Sequence, residues 1–244
     1  KIMSIPIVNL EEIKEKLVEK LKPSGWANKL RGFIQSSDFD KIFKVLYTER
    51  LNDKRFTPPL KDVFKAFEEC PLDKLKVVII GQDPYPQLGV ADGIAFSCKN
   101  TMIAQPSLKH LFNGLDATVN KDVPFELDHN PDLTRWANQG VLLLNSSLTC
   151  QVDKPGSHYK IWNDFITYTL DMLCSTHPGL IFVLLGSKAQ ELESLINPNQ
   201  YIIKTSHPAS AGYSKTTWDC NDLFNKINVI LEQNNGPEFK IEWN

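Results

Sequence analysis

Residues 77–86 read Val-Val-Ile-Ile-Gly-Gln-Asp-Pro-Tyr-Pro and predict a buried strand that ends in a rigid turn. The first four residues are β-branched and apolar, which is typical of a strand covered on both faces of its sheet. The turn that follows carries Asp83 and Tyr85. Ligands of open α/β sheets bind in the crevice beyond the carboxyl ends of the strands. The turn is therefore predicted to present an acid and an aromatic ring to a functional site.

Three more apolar runs have the same character, and helical patterns separate them. We predict strands at 75–80, 141–146, 180–185 and 201–205, and helices at 10–22, 38–51, 61–69, 106–119, 132–139, 161–175, from 186 onward and at 221–232. Apolar strands separated by helices form parallel sheets covered on both faces. This predicts an α/β fold with a single domain, whose central four-stranded parallel sheet is flanked by helices on both faces. Residues 1–55 are expected to form a helical segment packed on the globular unit at 56–244.

The charge balance is weak evidence against a nucleic-acid partner. The 244 residues carry 27 Lys and Arg against 29 Asp and Glu, a net charge of −2, whereas nucleic-acid-binding domains are often strongly basic. A local positive face can coexist with an acidic remainder, so such a partner stays open.

The cysteine pattern and the lack of long apolar runs indicate the cellular compartment of the protein. The five cysteines are scattered without a Cys-x-x-Cys pair, which predicts no zinc or iron–sulfur site and free thiols in a reducing compartment. No apolar run approaches the roughly 20 residues of a membrane helix. The first residues lack a signal peptide's apolar region and an initiator methionine. We expect an intracellular protein, nuclear or cytoplasmic and not secreted, and a chain that is a portion of something longer.

Polar side chains follow three of the four predicted strands, at the points where those strands end. They are Gln82 and Asp83 after the first strand, Asn145 after the second and His207 after the fourth. Each alone is more often structural, as a turn, a cap or a loop hydrogen bond. In a parallel sheet, however, these ends gather at one edge. An acid, an amide and an imidazole that converge in a crevice predict an active site.

The motifs around these residues resemble those of the family 1 uracil-DNA glycosylases. They are Gly81-Gln-Asp-Pro-Tyr85, Gly93-Ile-Ala-Phe-Ser97, Pro106-Ser-Leu108, Gly140-Val-Leu-Leu-Leu-Asn145, Ser157-His158 and Ser206-His-Pro208, in the family's order. The resemblance runs from about residue 56 to near the C-terminus. It implies one α/β catalytic domain without metal or cofactor, which hydrolyses the N-glycosidic bond of deoxyuridine in DNA.

The resemblance also assigns the contacts to the base. Phe96 would stack on a base flipped out of the DNA, and the amide of Asn145 would match uracil O4 and N3 while mismatching cytosine. Tyr85 would exclude the methyl group of thymine by steric contact. The backbone N–H of Gln82 would meet uracil O2.

Two residues are assigned to the chemistry by the same resemblance. His207 would donate a hydrogen bond to uracil O2 and stabilise the charge on the departing base. Asp83 would position water and stabilise the oxocarbenium-like sugar, as a carboxylate does in glycoside hydrolysis.

The sequence departs from the family at Pro86, where a histidine is usual, and in the loop after His207. The leucine that fills the gap left by the flipped base aligns with Ala211, so Tyr213 is the expected wedge, the alternative being that Tyr213 packs back on the fold. Two phosphate-binding serines of the family align with Ala209 and Gly212. The residues expected to contact DNA are Ser107, Pro208, Ser210, Tyr213 and Lys215.

Two other functions stay open because of these departures. One is a catalytically weakened family member that serves as a DNA-binding or replication-accessory protein. The other is a glycosylase with shifted substrate choice, such as other damaged pyrimidines. The expected partner in each case is DNA, single- or double-stranded, bound by a monomer. Gly186-Ser-Lys-Ala-Gln190 lacks the glycine spacing of a phosphate-binding loop, and His158 is expected in a loop near the DNA.

Overall fold

The computed structural model describes residues 9–244. The prediction made above from the first residues, that no signal peptide is present, concerns residues outside this range. Its main sheet contains four parallel strands in the order β3-β2-β5-β6. The strands of the structure, in chain order, are β1 Phe56–Thr57, β2 Val77–Gly81, β3 Val141–Asn145, β4 Cys150–Gln151, β5 Ile181–Leu185 and β6 Tyr201–Thr205. The predicted four-stranded parallel sheet is confirmed.

The α-helices cover both faces of this sheet. They are α1 Leu10–Leu21, α2 Ala27–Ile34, α3 Ser37–Leu51, α4 Lys65–Glu69, α5 Pro106–Thr118, α6 Thr134–Ala137, α7 Tyr159–Thr176, α8 Ser187–Gln190, α9 Ser210–Ser214 and α10 Leu223–Asn235. Short 3-10 turns lie at 60–62, 72–74, 191–195 and 237–239. The helix predicted at 61–69 is split, because a 3-10 turn occupies its start and α4 only its end.

Alternate residues of β2 point into two separate apolar cores. Val78 and Ile80 belong to the core that α1, α2, α3 and α7 cover. Val77 and Ile79 belong to the core on the other face, which α5 and α10 cover. This two-sided burial is the reason that β2 is apolar at every position. The boundary between a helical segment at 1–55 and a globular unit at 56–244 stays a prediction. The helices before residue 55 share one core with the sheet.

A second, small sheet was not predicted from the sequence. Strand β1 pairs antiparallel with β4, with Phe56 opposite Gln151 and Thr57 opposite Cys150. Neither segment is among the strands predicted above. Strands of two residues carry no periodicity, so the pairing has no local signature. Its effect is to hold the segment after β3 beside the turn that follows β2, where the Cys150 thiol donates to the Pro84 carbonyl.

Candidate active site

A cavity of about 130 Å³ lies at the carboxyl ends of β2 and β3. It brings together every residue predicted for chemistry or base recognition. Those that line it are Gln82, Asp83, Tyr85, Phe96, Asn145 and His207, together with Ala66, Pro84, Pro86, Ala91, Gly93, Ile94, Ser107, Leu143 and Leu148. The strand ends thus gather as expected, and two aromatic rings complete the walls.

The floor of the cavity depends on a residue without a side chain. Gly81 is the last residue of β2 and pairs in register with Asn145 of β3. A Cβ atom on Gly81 would come within 2.8 Å of the Asn145 Oδ1 atom and 3.0 Å of the Phe96 ring. A side chain at position 81 would therefore displace both the Asn145 amide and the Phe96 ring, so glycine is required there.

Phe96 holds a backbone conformation that is unusual for its residue type. Its φ is +67°, a left-handed value that costs a non-glycine residue about 1–2 kcal/mol. A strained backbone of this kind is kept only where several surrounding contacts hold it in place, and it is common at ligand-binding sites. One such contact comes from Tyr85, whose hydroxyl donates to the Phe96 carbonyl at 2.8 Å. The two aromatic residues predicted to hold the base are therefore tied to each other.

His207 reaches the cavity across the end of β5. The strand order places β5 between β2 and β6, and β5 is followed by Gly186 with a φ of +88°. A Cβ on Gly186 would lie 2.8 Å from the Cβ of His207 and 3.1 Å from Nε2 of Gln82. The glycine is therefore required for the close approach of these two side chains. This role of Gly186 was not predicted from the sequence, although its place directly after a strand was a usable signal.

The tautomer of His207 follows from its hydrogen bond. Its Nδ1 atom accepts the backbone N–H of Ala209 at 3.1 Å, so the proton of the neutral ring is on Nε2. Burial lowers the pKa of His207 to about 4, because the charged form loses its hydration. The imidazole is thus neutral at physiological pH and can donate from Nε2.

Asp83 is held by two donors from the chain segment after β4. The backbone N–H of Gly156 donates to its Oδ2 atom, and the Tyr159 hydroxyl forms a second hydrogen bond to the carboxylate. Burial raises the pKa of Asp83, while these two hydrogen bonds act in the opposite direction. Sequence reasoning missed both donors, since neither stands in a motif and both are more than seventy residues from Asp83.

No group of three or more His, Cys, Asp or Glu side chains in residues 9–244 is arranged to hold a metal ion. Of the helices described, none is both long and apolar enough to cross a membrane.

A family model described as "Uracil DNA glycosylase superfamily" matches residues 67–232. The chain belongs to this superfamily. The uracil-DNA glycosylase of Acinetobacter baylyi is 34% identical over 235 residues, which is 96% of this chain and 97% of that protein. The uracil-DNA glycosylase of Christiangramia forsetii is 34% identical over 221 residues, or 90% and 97% of the two chains.

Solved structures of the superfamily share the fold. The crystal structure of mimivirus uracil-DNA glycosylase is similar with a TM-score of 0.78 at 27% identity, covering 96% of this chain and 89% of that chain. A variant of the mimivirus protein in complex with UGI has a TM-score of 0.79 at 26% identity, covering 97% and 91%.

In this member of the superfamily, the loop after His207 forms a short helix. Helix α9 buries Ala211 and directs Tyr213 outward, with 90% of its surface exposed. Tyr213 therefore does not pack back on the fold. Ser210 and Lys215 are also exposed beside it, whereas Pro208 is buried. Ser107 lies at the start of α5 and in the wall of the cavity.

His158 directly precedes α7, as expected from the sequence, and its side chain is buried. It is only 2% exposed, with Nδ1 at 2.8 Å from the Thr149 hydroxyl and Nε2 at 3.0 Å from Glu49. The Trp162 indole donates to the same threonine at 2.7 Å. Burial lowers the pKa of His158, against the effect of Glu49. This chain of hydrogen bonds links α3 to the segment that holds Asp83.

Proposed function

We propose that the chain hydrolyses the N-glycosidic bond of deoxyuridine in DNA, releasing uracil and leaving an abasic site for base-excision repair. One observation carries the proposal: a carboxylate, an amide, a neutral imidazole and two aromatic rings line a single cavity. Enzymes that act on a base must take it out of the helical stack, into a pocket that reads its edge and stacks on its face.

Base recognition would use three walls of the cavity. Phe96 would stack on the flipped base, a contact typically worth about 1–3 kcal/mol. The Asn145 amide lies over Gly81 next to that ring, where its oxygen and nitrogen complement N3–H and O4 of uracil. Tyr85 would exclude the thymine methyl, because uracil and thymine share the same polar edge. The backbone N–H of Gln82 would bind O2.

The chemistry would divide between His207 and Asp83. Departure of uracil leaves negative charge on the base, and a neutral His207 can stabilise it by donating from Nε2 to O2. Positive charge develops on the sugar, which the Asp83 carboxylate would stabilise while it orients the attacking water. The raised pKa of Asp83 supports a role in accepting a proton from that water.

The surface around the cavity supports DNA as the partner, single- or double-stranded. Tyr213 is an exposed aromatic ring six residues after His207 of the cavity wall, and rings of this kind wedge between base steps. Ser210 and Lys215 on the exposed loop and Ser107 in the cavity wall would contact the backbone, whereas the buried Pro208 would only support the loop. Such contacts position DNA without choosing the base. We further propose that the protein is a monomer and that it acts inside the cell. The five free, buried cysteines support the second proposal, because thiols stay reduced in that compartment.

The proposal is tested with oligonucleotides that carry uracil, thymine or an oxidised pyrimidine at one position. Abasic sites are measured after incubation. We expect them only with uracil, in both single and double strands. Excision of the oxidised pyrimidine would support shifted substrate choice. Binding of DNA without any excision would support the accessory-protein alternative.

A further inference from the structure

Asp92 is a buried carboxylate that the proposed reaction does not use. Only 5% of its surface is exposed. Its Oδ1 atom accepts the backbone N–H of Ile94 at 3.0 Å, and its Oδ2 atom accepts that of Lys99 at 2.9 Å. The Ser97 hydroxyl forms a third hydrogen bond to the carboxylate. The ammonium group of Lys99 lies instead near Asp132, at 3.9 Å.

The two backbone hydrogen bonds close a loop of the chain around Phe96. Residue 94 lies at the start of that loop and residue 99 at its end, so each carboxylate oxygen holds one side. Within the loop, Phe96 has the left-handed φ of +67°. Its carbonyl accepts both the Tyr85 hydroxyl at 2.8 Å and the Cys98 thiol at 3.6 Å. The position of both aromatic walls of the cavity therefore depends on this loop.

The Asp92 side chain does not itself touch a ligand in the cavity. The residues on either side, Ala91 and Gly93, line the cavity, whereas Asp92 does not. Its hydrogen bonds point into the loop, away from the reacting groups. Any effect of Asp92 on the reaction must therefore pass through the neighbouring residues that line the cavity, of which Phe96 and Tyr85 are the aromatic ones.

We propose that Asp92 is a positioning residue that fixes the Phe96 and Tyr85 walls, and so sets the affinity for the uracil base and the rejection of thymine. The inference rests on the roles proposed above for those two residues. It needs a carboxylate, because the two backbone N–H groups bind different oxygen atoms of the side chain. An asparagine has one acceptor and would turn its NH₂ group towards one of them.

The test compares Asp92→Asn with wild type in three measurements. They are inhibition by free uracil, the rates on uracil- and thymine-containing oligonucleotides, and affinity for an oligonucleotide without uracil. Free uracil probes the base cavity alone, while the uracil-free oligonucleotide probes the surface. Asp116→Asn is the control, since the Asp116 carboxylate also has more than one hydrogen-bond partner, here the side chains of Asn120 and His129, but near the far end of α5.

We expect Asp92→Asn to weaken inhibition by free uracil roughly tenfold or more, in line with the loss of a stacking contact. Discrimination against thymine should fall, and affinity for uracil-free DNA should stay within about twofold of wild type. Asp116→Asn should leave all three unchanged. Unaltered uracil inhibition in a folded Asp92→Asn protein would overturn the inference. If wild type forms no abasic sites on uracil-containing DNA, the proposed function itself fails instead; equal inhibition of wild type and Phe96→Ala by uracil would overturn the stacking role on which the inference rests.

A measurement on wild type covers the case in which Asp92→Asn does not fold. The amide protons of Ile94 and Lys99 should exchange slowly with solvent. Their exchange should be slower still when free uracil is bound, because contact with the base stabilises the loop. Exchange of these amides as fast as that of exposed loop amides, with or without uracil, would overturn the inference.

Discussion

At the scale of single residues, burial brings the pKa values of the two proposed catalytic groups closer together. It lowers the pKa of His207 to about 4 and raises that of Asp83. The result is a neutral imidazole that donates a hydrogen bond and a carboxylate that is a stronger base than usual. Pairs of titratable groups whose surroundings shift their pKa values are typical of catalytic sites.

Tyr159 provides a test of the Asp83 environment through pH. Its hydroxyl bonds to Asp83 and favours the charged carboxylate, so Tyr159→Phe should raise the pKa of Asp83. The acid limb of the pH–rate profile, where Asp83 becomes protonated, should move to higher pH. Burial keeps the pKa of Tyr159 above its ordinary value, so the hydroxyl stays a donor throughout. The measurement is single-turnover excision across the acid range.

The control for this variant is Tyr168→Phe on the same helix. The Tyr168 hydroxyl donates to the Lys29 carbonyl at 2.8 Å, away from the cavity. Other groups near Asp83 and Tyr159 are unchanged in both variants; they are Cys150, Lys188, Glu191 and His207. An acid limb that does not move in Tyr159→Phe, or that moves equally in both variants, would contradict this account of Asp83.

At the scale of elements, the end of β5 controls how β6 delivers His207. Gly186→Ala would place a Cβ 2.8 Å from the His207 Cβ and strain a backbone with φ of +88°. We expect turnover to fall at least about tenfold, since displacement of a catalytic group by about 1 Å can cost 10²-fold. Steady-state kinetics and thermal unfolding would be measured together.

Gly179→Ala separates strain from displacement. Gly179 has a φ of +78°, but a Cβ there would meet nothing within 4 Å. Both variants should lose stability from backbone strain, by about 1–3 kcal/mol, but only Gly186→Ala should lose turnover. Equal turnover in the two variants would show that His207 tolerates the added methyl group.

Helix α9 carries the proposed wedge, and Tyr213→Ala tests it. Because Tyr213 is 90% exposed, its removal should leave the melting temperature unchanged. Excision from duplex DNA should slow by roughly tenfold, the scale of one lost base-stacking contact, whereas excision from single strands should change less. Phe125→Ala, which removes another exposed ring, is the control. Unaltered excision from duplex DNA would exclude a wedge at Tyr213.

How far the sequence predicts each element depends on whether its pattern is local. The strands of the main sheet and the long helices α1, α3, α5, α7 and α10 have apolar runs or stripes, and all were predicted within a few residues. Helix α2 was missed; it has eight residues, includes Gly32 and has no side-chain cap. The β1–β4 pair and the donors to Asp83 were missed because they depend on contacts between residues far apart in the chain.

At the scale of the whole molecule, the N-terminal helices belong to the main core. Trp26, Leu30 and Ile34 are fully buried there, together with residues from the sheet and α7. We therefore expect a chain that starts at residue 56 to fail to fold on its own. Circular dichroism of that fragment should show no cooperative thermal transition; a cooperative transition near that of the full chain would establish 56–244 as an independent unit.

The central claim is that Asp83 supplies the chemistry of uracil release from DNA. Its most direct test is the single-turnover rate of uracil excision by Asp83→Asn, measured beside its affinity for the same oligonucleotide. We expect the rate to fall by at least about 10²-fold, the lower range for loss of a general base, while DNA affinity is retained. Excision at a rate near that of wild type would contradict the account.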